Sequence, residues 1–402
     1  MIGHTLAKVW FNFAARVLTA VPQKTPILLT GPGSVKLLPS ELDTLKAKRP
    51  LIVTDTGVAG TDILKSVEKI LKDAGVQYAV HKDIKADPSF EVCRAGLEAL
   101  RAQRCDAVIA LGGGSVMDAG KLIRMGATHD KPMEKFAGIM RLSNGGLPFI
   151  CIPTTAGTGS EATAAAVITD TKRHRKVTVL NPRIPPDSAI LDPSLTLGLP
   201  SDLTASTGVN ALAHAIEAYT NTLHYSDVDS QAVEAVRLIL AYLPKVYANP
   251  ADARGREALL RASNLAGRAF TRGFLGYVHA IAQRFGEKYH IPHGLANAIV
   301  LPYFLDLYAE ACPQRLASLA RATAICGDLG QGKDKDCAKA FVEAVKTLLA
   351  GLGIPCKADF LKADDIEAIA KEALREAHGT PYPVPVVYMA KELAAILRTM
   401  LP

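Results

Sequence analysis

The sequence predicts two domains of different class, an α/β domain with a mostly parallel sheet followed by an all-α domain. Three observations carry that expectation. The chain has 402 residues, more than one hydrophobic core usually serves. Its first half alternates short apolar, β-branched segments with amphipathic helical ones. After about Pro200 the strand signals stop, and apolar residues recur at three-to-four spacing instead.

The chain opens with an apolar stretch, residues 6–21, that carries Lys8 and Arg16 inside it. A signal peptide places its charge ahead of an uninterrupted apolar core, so we read an N-terminal helical extension over 1–25. It is expected to pack on the body or on a second subunit. Strands are expected at 26–31, 50–55, 77–82, 106–112, 148–153 and 189–193, with helices at 60–75 and 89–103 between them. Such runs fit a sheet buried on both faces, and in those sheets ligands bind beyond the carboxyl ends of the strands. This domain is taken as 26–200, with a short join near 195–203. Helices are then expected at 207–219, 227–247, 255–270, 313–327 and 337–353, within an all-α domain over 201–402.

Composition narrows the function. With 49% hydrophobic and 21% charged residues the chain is of ordinary globular make-up. The net charge of +7 is dispersed, and one Trp leaves little for base stacking, which argues against nucleic acid as partner. The seven cysteines are scattered and form no CxxC pair, as expected of reduced thiols in a cytoplasm. No apolar run is long enough to span a bilayer, so no membrane role is expected.

Three motifs carry chemistry. Gly112, Gly113 and Gly114 follow a strand, and Ser115 opens a helix; glycines admit close backbone approach, and free N–H groups at a helix start favour a phosphate. The spacing is not GxGxxG, so a tight turn without ligand stays open. After the next strand, 153–163 offers the hydroxyls of Thr154, Thr155, Thr158 and Ser160. Asp55 ends an earlier strand, either as a helix N-cap or as an acceptor for ribose hydroxyls. In the second role its charge repels a 2′-phosphate and favours NAD over NADP. Lys176 lies in the basic run 172–176, read as a solvated loop from which one Lys reaches a cofactor.

The third motif is metal-like. Asn210 and His214 are four apart and share a helical face, while His279 and His293 flank a turn shaped by Pro292 and Gly294. Three imidazoles and an amide oxygen make a donor set for Zn²⁺ or Fe²⁺. His224, His290 and His378 are left as ordinary core or surface histidines.

The segments GGGSVMDAGK (112–121), IPTTAGTGSEAT (152–163), NALAHAIEAY (210–219) and IPHGLANAIVLP (291–302) resemble the iron-containing, or group III, alcohol dehydrogenases, from about residue 26 to near the C-terminus. The resemblance implies a dehydroquinate synthase-like fold, a dinucleotide-binding α/β domain plus a helical metal domain. It places His214, His279 and His293 on metal-ligand positions. It places the glycine run with Ser115 and Asp118, the threonine loop with Ser160, Asp55 and Lys176 on cofactor positions. The implied activity is NAD-dependent interconversion of an alcohol and its aldehyde or ketone by metal-assisted hydride transfer, in a homodimer or higher homo-oligomer.

Two positions depart from the family pattern. Asn210 stands where the family usually has Asp, the only anionic ligand. Gln283 stands where it has a second His, often assigned to proton relay. Asn at the first position also resembles the maleylacetate reductases, which work without metal, so a metal-independent reductase and a catalytically idle nucleotide-binding paralogue remain alternatives. Arg272 replaces a commonly small residue, and Arg284 follows Gln283. Arginines there either pair with a substrate carboxylate, pointing to a hydroxy acid or sugar acid, or tie down a helix end.

Overall fold

The computed structural model describes residues 2–173, 175–326 and 333–402. Its strands are β1 (Ile27–Thr30), β2 (Pro50–Asp55), β3 (Ala79–Ile84), β4 (Ala107–Gly112), β5 (Gly138–Ile139), β6 (Phe149–Pro153), β7 (Ala165–Asp170), β8 (Arg175–Leu180) and β9 (Ser188–Leu191). Its α-helices in the first half are α1 (Ile2–Thr19), α2 (Leu38–Thr44), α3 (Thr56–Ala59), α4 (Asp62–Asp73), α5 (Phe90–Ala102) and α6 (Gly114–Gly126). The rest are α7 (Ser201–Thr220), α8 (Ser226–Ala248), α9 (Ala253–Gly273), α10 (Tyr277–Tyr289), α11 (His293–Ala311), α12 (Pro313–Ala322), α13 (Asp334–Gly351), α14 (Ile366–Gly379) and α15 (Ala390–Thr399). Residue 327, the end of one expected helix, lies outside the described residues.

The six expected strands all form and join one parallel sheet in the order β1-β9-β6-β4-β2-β3. Side-chain alternation splits their residues between two cores. Leu51, Val53, Val108, Ala110, Phe149 and Cys151 pack with Cys93 and Leu97 of α5 and Leu122 and Ile123 of α6. Ile52, Ile109, Leu111, Ile150, Ile152 and Ile190 pack on the other side with Leu38 and Leu42 of α2 and Leu64, Val67 and Leu71 of α4. Burial of both faces explains why the strands read as near-continuous apolar runs.

The chain leaves β2 toward β3 and later returns to β2's other side as β4, so strand order reverses between β2 and β4. At such a reversal the connecting helices diverge and leave a crevice beyond the carboxyl ends. Those ends are Asp55 and Gly112.

A second sheet, order β5-β8-β7, was not expected. The hairpin of β7 and β8 turns within the charged stretch read as a loop, and Lys176 lies in β8, paired with Thr169 of β7.

Residues 22–199 and 250–264 form one unit by their contacts; residues 1–21, 200–249 and 265–402 form the other, which is helical. The division cuts α9 because its first half is held by the α/β unit: Ser263 Oγ accepts from Gly159 N–H (3.1 Å) and Asn264 donates to buried Glu161 (2.9 Å). Helix α1 packs on the helical unit through buried Phe11 and Ala15, with Asn12 accepting from Thr222 at 2.6 Å. The opposite ridge of α1, with Leu6, Trp10 and Phe13, is exposed. Among the described residues no single helix is long and apolar enough to cross a membrane.

Candidate dinucleotide cradle and metal-type site

In the α/β unit, β4 runs through Gly112 into Gly113, the N-cap of α6, which offers no capping side chain. The first turn of α6 holds no acidic residue. The neighbouring helices differ: α4 is capped by Thr61 and α5 by Ser89. An uncapped start leaves backbone N–H groups for an anion, and the helix dipole favours negative charge there. The threonine loop meets this run directly. Thr154 N–H bonds to Gly112 C=O at 3.1 Å. A Cβ on Gly113 would stand 3.3 Å from Thr155 Oγ1, and one on Gly114 only 2.5 Å from Thr158 Cγ2. Ser115 is half-buried in the first turn of α6.

Two expected cofactor residues, Asp118 and Ser160, are tied into a largely buried network. Lys121, with 0% exposure, donates to Ser160 Oγ (2.7 Å), Thr163 Oγ1 (2.9 Å) and Ala165 C=O (2.6 Å). Asp118 lies 3.3 Å from the same ammonium, accepts from Ser160 Oγ (2.6 Å) and from Val167 N–H (2.9 Å). The network clamps the threonine loop to α6. Sequence reading passed over Lys121 because Ser160, Thr163 and Ala165 lie 39, 42 and 44 residues away.

Asp55 Oδ1 accepts from Val58 N–H at 2.9 Å, the N-cap role that the sequence left open. A ribose would therefore meet its other oxygen. Lys176 forms an ion pair with Asp87 at 2.6 Å.

In the helical unit, α7 brings Asn210, His214 and Glu217 to one face, and all three are buried. Gly208 lets α7 approach α8, since a Cβ there would stand 2.5 Å from Leu243 Cδ1. Gly294 lets the start of α11 sit against Ser206 of α7. The three candidate histidines gather accordingly: the rings of His214 and His279 stack at 4.5 Å, and His279 lies 5.6 Å from His293.

The donor set fits a divalent ion in its chemistry, with one obstacle. Asn297 Nδ2 lies 2.8 Å from Asn210 Oδ1 and 3.1 Å from His293 Nε2. Two acceptors converging on one donor group occupy the arrangement that two ligands take around a cation. His279 Nε2 is buried with no hydrogen-bond partner, as a nitrogen reserved for a ligand would be. Among the described residues no group of three or more His, Cys, Asp or Glu side chains stands in ready metal-binding geometry. Ligation through His293 Nε2 would require the Asn297 amide to withdraw, because that nitrogen has a single lone pair.

The remaining candidates have protein partners. Arg272 pairs with Asp227 and stacks over the Tyr225 ring at 4.5 Å, tying α9 to α8. Arg284 bridges Glu287 (2.7 Å) and Glu376 (2.8 Å). With its carboxamide oxygen turned toward Arg284, Gln283 accepts from that guanidinium (2.8 Å) and donates to Glu376 (3.2 Å). Burial pushes the Glu376 carboxyl up to about 7, opposed by Arg284 and reinforced by Glu287. His378 packs on Phe11 at 4.8 Å, and His224 and His290 hold left-handed turn positions.

The profile of the iron-containing alcohol dehydrogenases matches residues 25–193, and that of the Fe-containing alcohol dehydrogenase family C-terminal region matches 204–401. The chain is 36% identical to a 1,3-propanediol dehydrogenase of Citrobacter freundii, over 92% of this chain and 95% of that one. It is 34% identical to an NAD-dependent methanol dehydrogenase of Bacillus methanolicus, over 94% and 98%. A solved sulfoacetaldehyde reductase of Bifidobacterium kashiwanohense in complex with NAD⁺ superimposes with a TM-score of 0.85 at 27% identity, covering 94% of this chain and 98% of that one. Two collinear family matches spanning both halves, together with the cradle and the histidine cluster, place the protein in the iron-containing alcohol dehydrogenase family.

Proposed function

We propose that the protein is an NAD-dependent alcohol dehydrogenase that interconverts a primary alcohol and its aldehyde, with a divalent iron or zinc ion held by Asn210, His214, His279 and His293. The observation that carries the dinucleotide half is the uncapped start of α6 at the strand-order reversal, where the glycines abut Thr155 and Thr158. Backbone N–H groups there bind the pyrophosphate, and the Lys121 clamp keeps the threonine loop against it. Asp55 takes a ribose hydroxyl and repels a 2′-phosphate. A bound divalent ion supplies Lewis acidity at the alcohol oxygen. Names among the relatives, which include propanediol, methanol and sulfoacetaldehyde, support a small alcohol or aldehyde as substrate.

An acidic substrate draws support from one relative's name, since sulfoacetaldehyde carries a sulfonate, but little from this chain's arginines. Arg272 and Arg284, the charges from which it was argued, are each neutralised by carboxylates. A metal-independent reductase is the second reading, favoured by the Asn297 amide that already satisfies Asn210 and His293.

Initial rates with NAD⁺ and NADP⁺ over a panel of primary alcohols, diols and hydroxy acids test the proposal. NAD⁺ should be strongly preferred, and Asp55→Ser should narrow the ratio of the two cofactors' kcat/KM by about tenfold, the effect of roughly 1.4 kcal/mol. Equal use of NADP⁺ by the native protein would contradict the role of Asp55, and no turnover of any alcohol would contradict the activity.

A further inference from the structure

The four candidate ligands lack a carboxylate, yet a buried carboxylate stands one hydrogen bond behind them. Glu217 lies on α7 three residues after His214 and is 1% exposed. One oxygen accepts from Val278 N–H at 2.9 Å, and the other is bonded to His279 Nδ1. Room for this is reserved by Gly276, where a Cβ would stand 2.7 Å from Glu217 Oε1. The second ring nitrogen of His279, Nε2, is the buried one with no partner.

We propose that Glu217 is the positioning residue of the metal site: it fixes His279 with Nδ1 as donor and Nε2 as ligand, and supplies the negative charge that Asn210 does not. The proposal rests on the reading that this site takes a divalent ion. A metal-ligating imidazole has to present a lone pair, and the partner of its other nitrogen decides which nitrogen carries the proton. A carboxylate can only accept, so the proton stays on Nδ1. The same hydrogen bond places anionic charge near the cation, through the ring instead of directly. A neutral Asn in the ligand set is thereby compensated.

Glu217→Gln keeps shape and volume, and one amide oxygen still faces Val278 N–H. Its NH₂ then faces Nδ1 and drives the ring proton onto Nε2, the ligand atom. Zn²⁺ affinity, measured by competition with a chromogenic chelator, should fall ten- to a hundredfold. Adding Asn210→Asp should recover most of the loss, because a direct carboxylate replaces the remote one. Affinity for NADH should stay unchanged, which shows that the chain is folded. Should Glu217→Gln fail to fold, Gly276→Ala displaces the carboxylate while keeping its charge, and should weaken Zn²⁺ in the same direction. Native protein that binds Zn²⁺ while Glu217→Gln binds it within twofold would overturn the proposal and leave the metal reading standing. Native protein with no measurable Zn²⁺ affinity would overturn both.

Discussion

Lys121→Met is expected to destabilise the protein by about 3–5 kcal/mol, the cost of breaking a buried charge pair from one side. The ammonium is fully buried and serves Ser160, Thr163 and the Ala165 carbonyl as well as Asp118. Methionine fills similar volume but donates nothing, so four acceptors lose a donor together, and the Asp118 carboxylate keeps a charge with no cation beside it. Thermal unfolding should shift down by roughly 4–6 °C, and NADH should bind more weakly in the folded fraction because the threonine loop is no longer clamped. Lys72→Met, at an exposed position of α4, should stay within about 0.5 kcal/mol. A melting curve for Lys121→Met that overlays the native one would show that the network is dispensable.

The second large effect is expected at Gly114. Alanine there brings a Cβ to 2.5 Å from Thr158 Cγ2, 2.9 Å from Oγ1 and 3.0 Å from Cβ, so no rotation of Thr158 relieves the contact and the loop backbone has to move. Because that loop and the start of α6 form the two walls of the cradle, NADH affinity should fall roughly tenfold or more, about 1.4 kcal/mol per decade. Thr158→Ala in the Gly114→Ala background removes the two closest atoms and should restore much of the binding. Fluorescence titration with NADH reads both. Unchanged affinity in Gly114→Ala would mean that the dinucleotide does not lie between these walls.

Much of the α/β unit was legible because its central strands β2, β4 and β6 are buried on both faces and therefore almost wholly apolar, as Leu51 to Val53 and Val108 to Leu111 show. The glycine run announced its turn because only glycine fits there. The hairpin of β7 and β8 was hidden for the opposite reason. Strand β7 alternates half-exposed and buried residues, β8 buries only Val179, and Lys172, Arg173 and Arg175 at the turn read as loop. Helices α14 and α15 were passed over although Ile366, Ile369, Ala370, Ala373 and Leu374 carry helical spacing.

At the candidate site, residue types were readable but partnerships were not. Glu217 and Lys121 both sit inside segments recognised as functional, yet their roles depend on residues 62 and 42 positions away, His279 and Thr163. Asn297 likewise reaches 87 residues back to Asn210. Local spacing cannot report such contacts. The same limit applied to Arg272, whose type fits a substrate carboxylate as well as it fits Asp227.

Under the proposed function, Asn210, His214, His279 and His293 hold a divalent ion on which alcohol oxidation depends. The most direct measurement is NADH formation from a primary alcohol by purified protein before chelation, after removal of metal by chelator, and after return of Fe²⁺ or Zn²⁺ under anaerobic conditions. Turnover should disappear on chelation and return with one of the two ions. Full turnover in the chelated protein would contradict that dependence and favour the arrangement in which Asn297 permanently bridges Asn210 and His293.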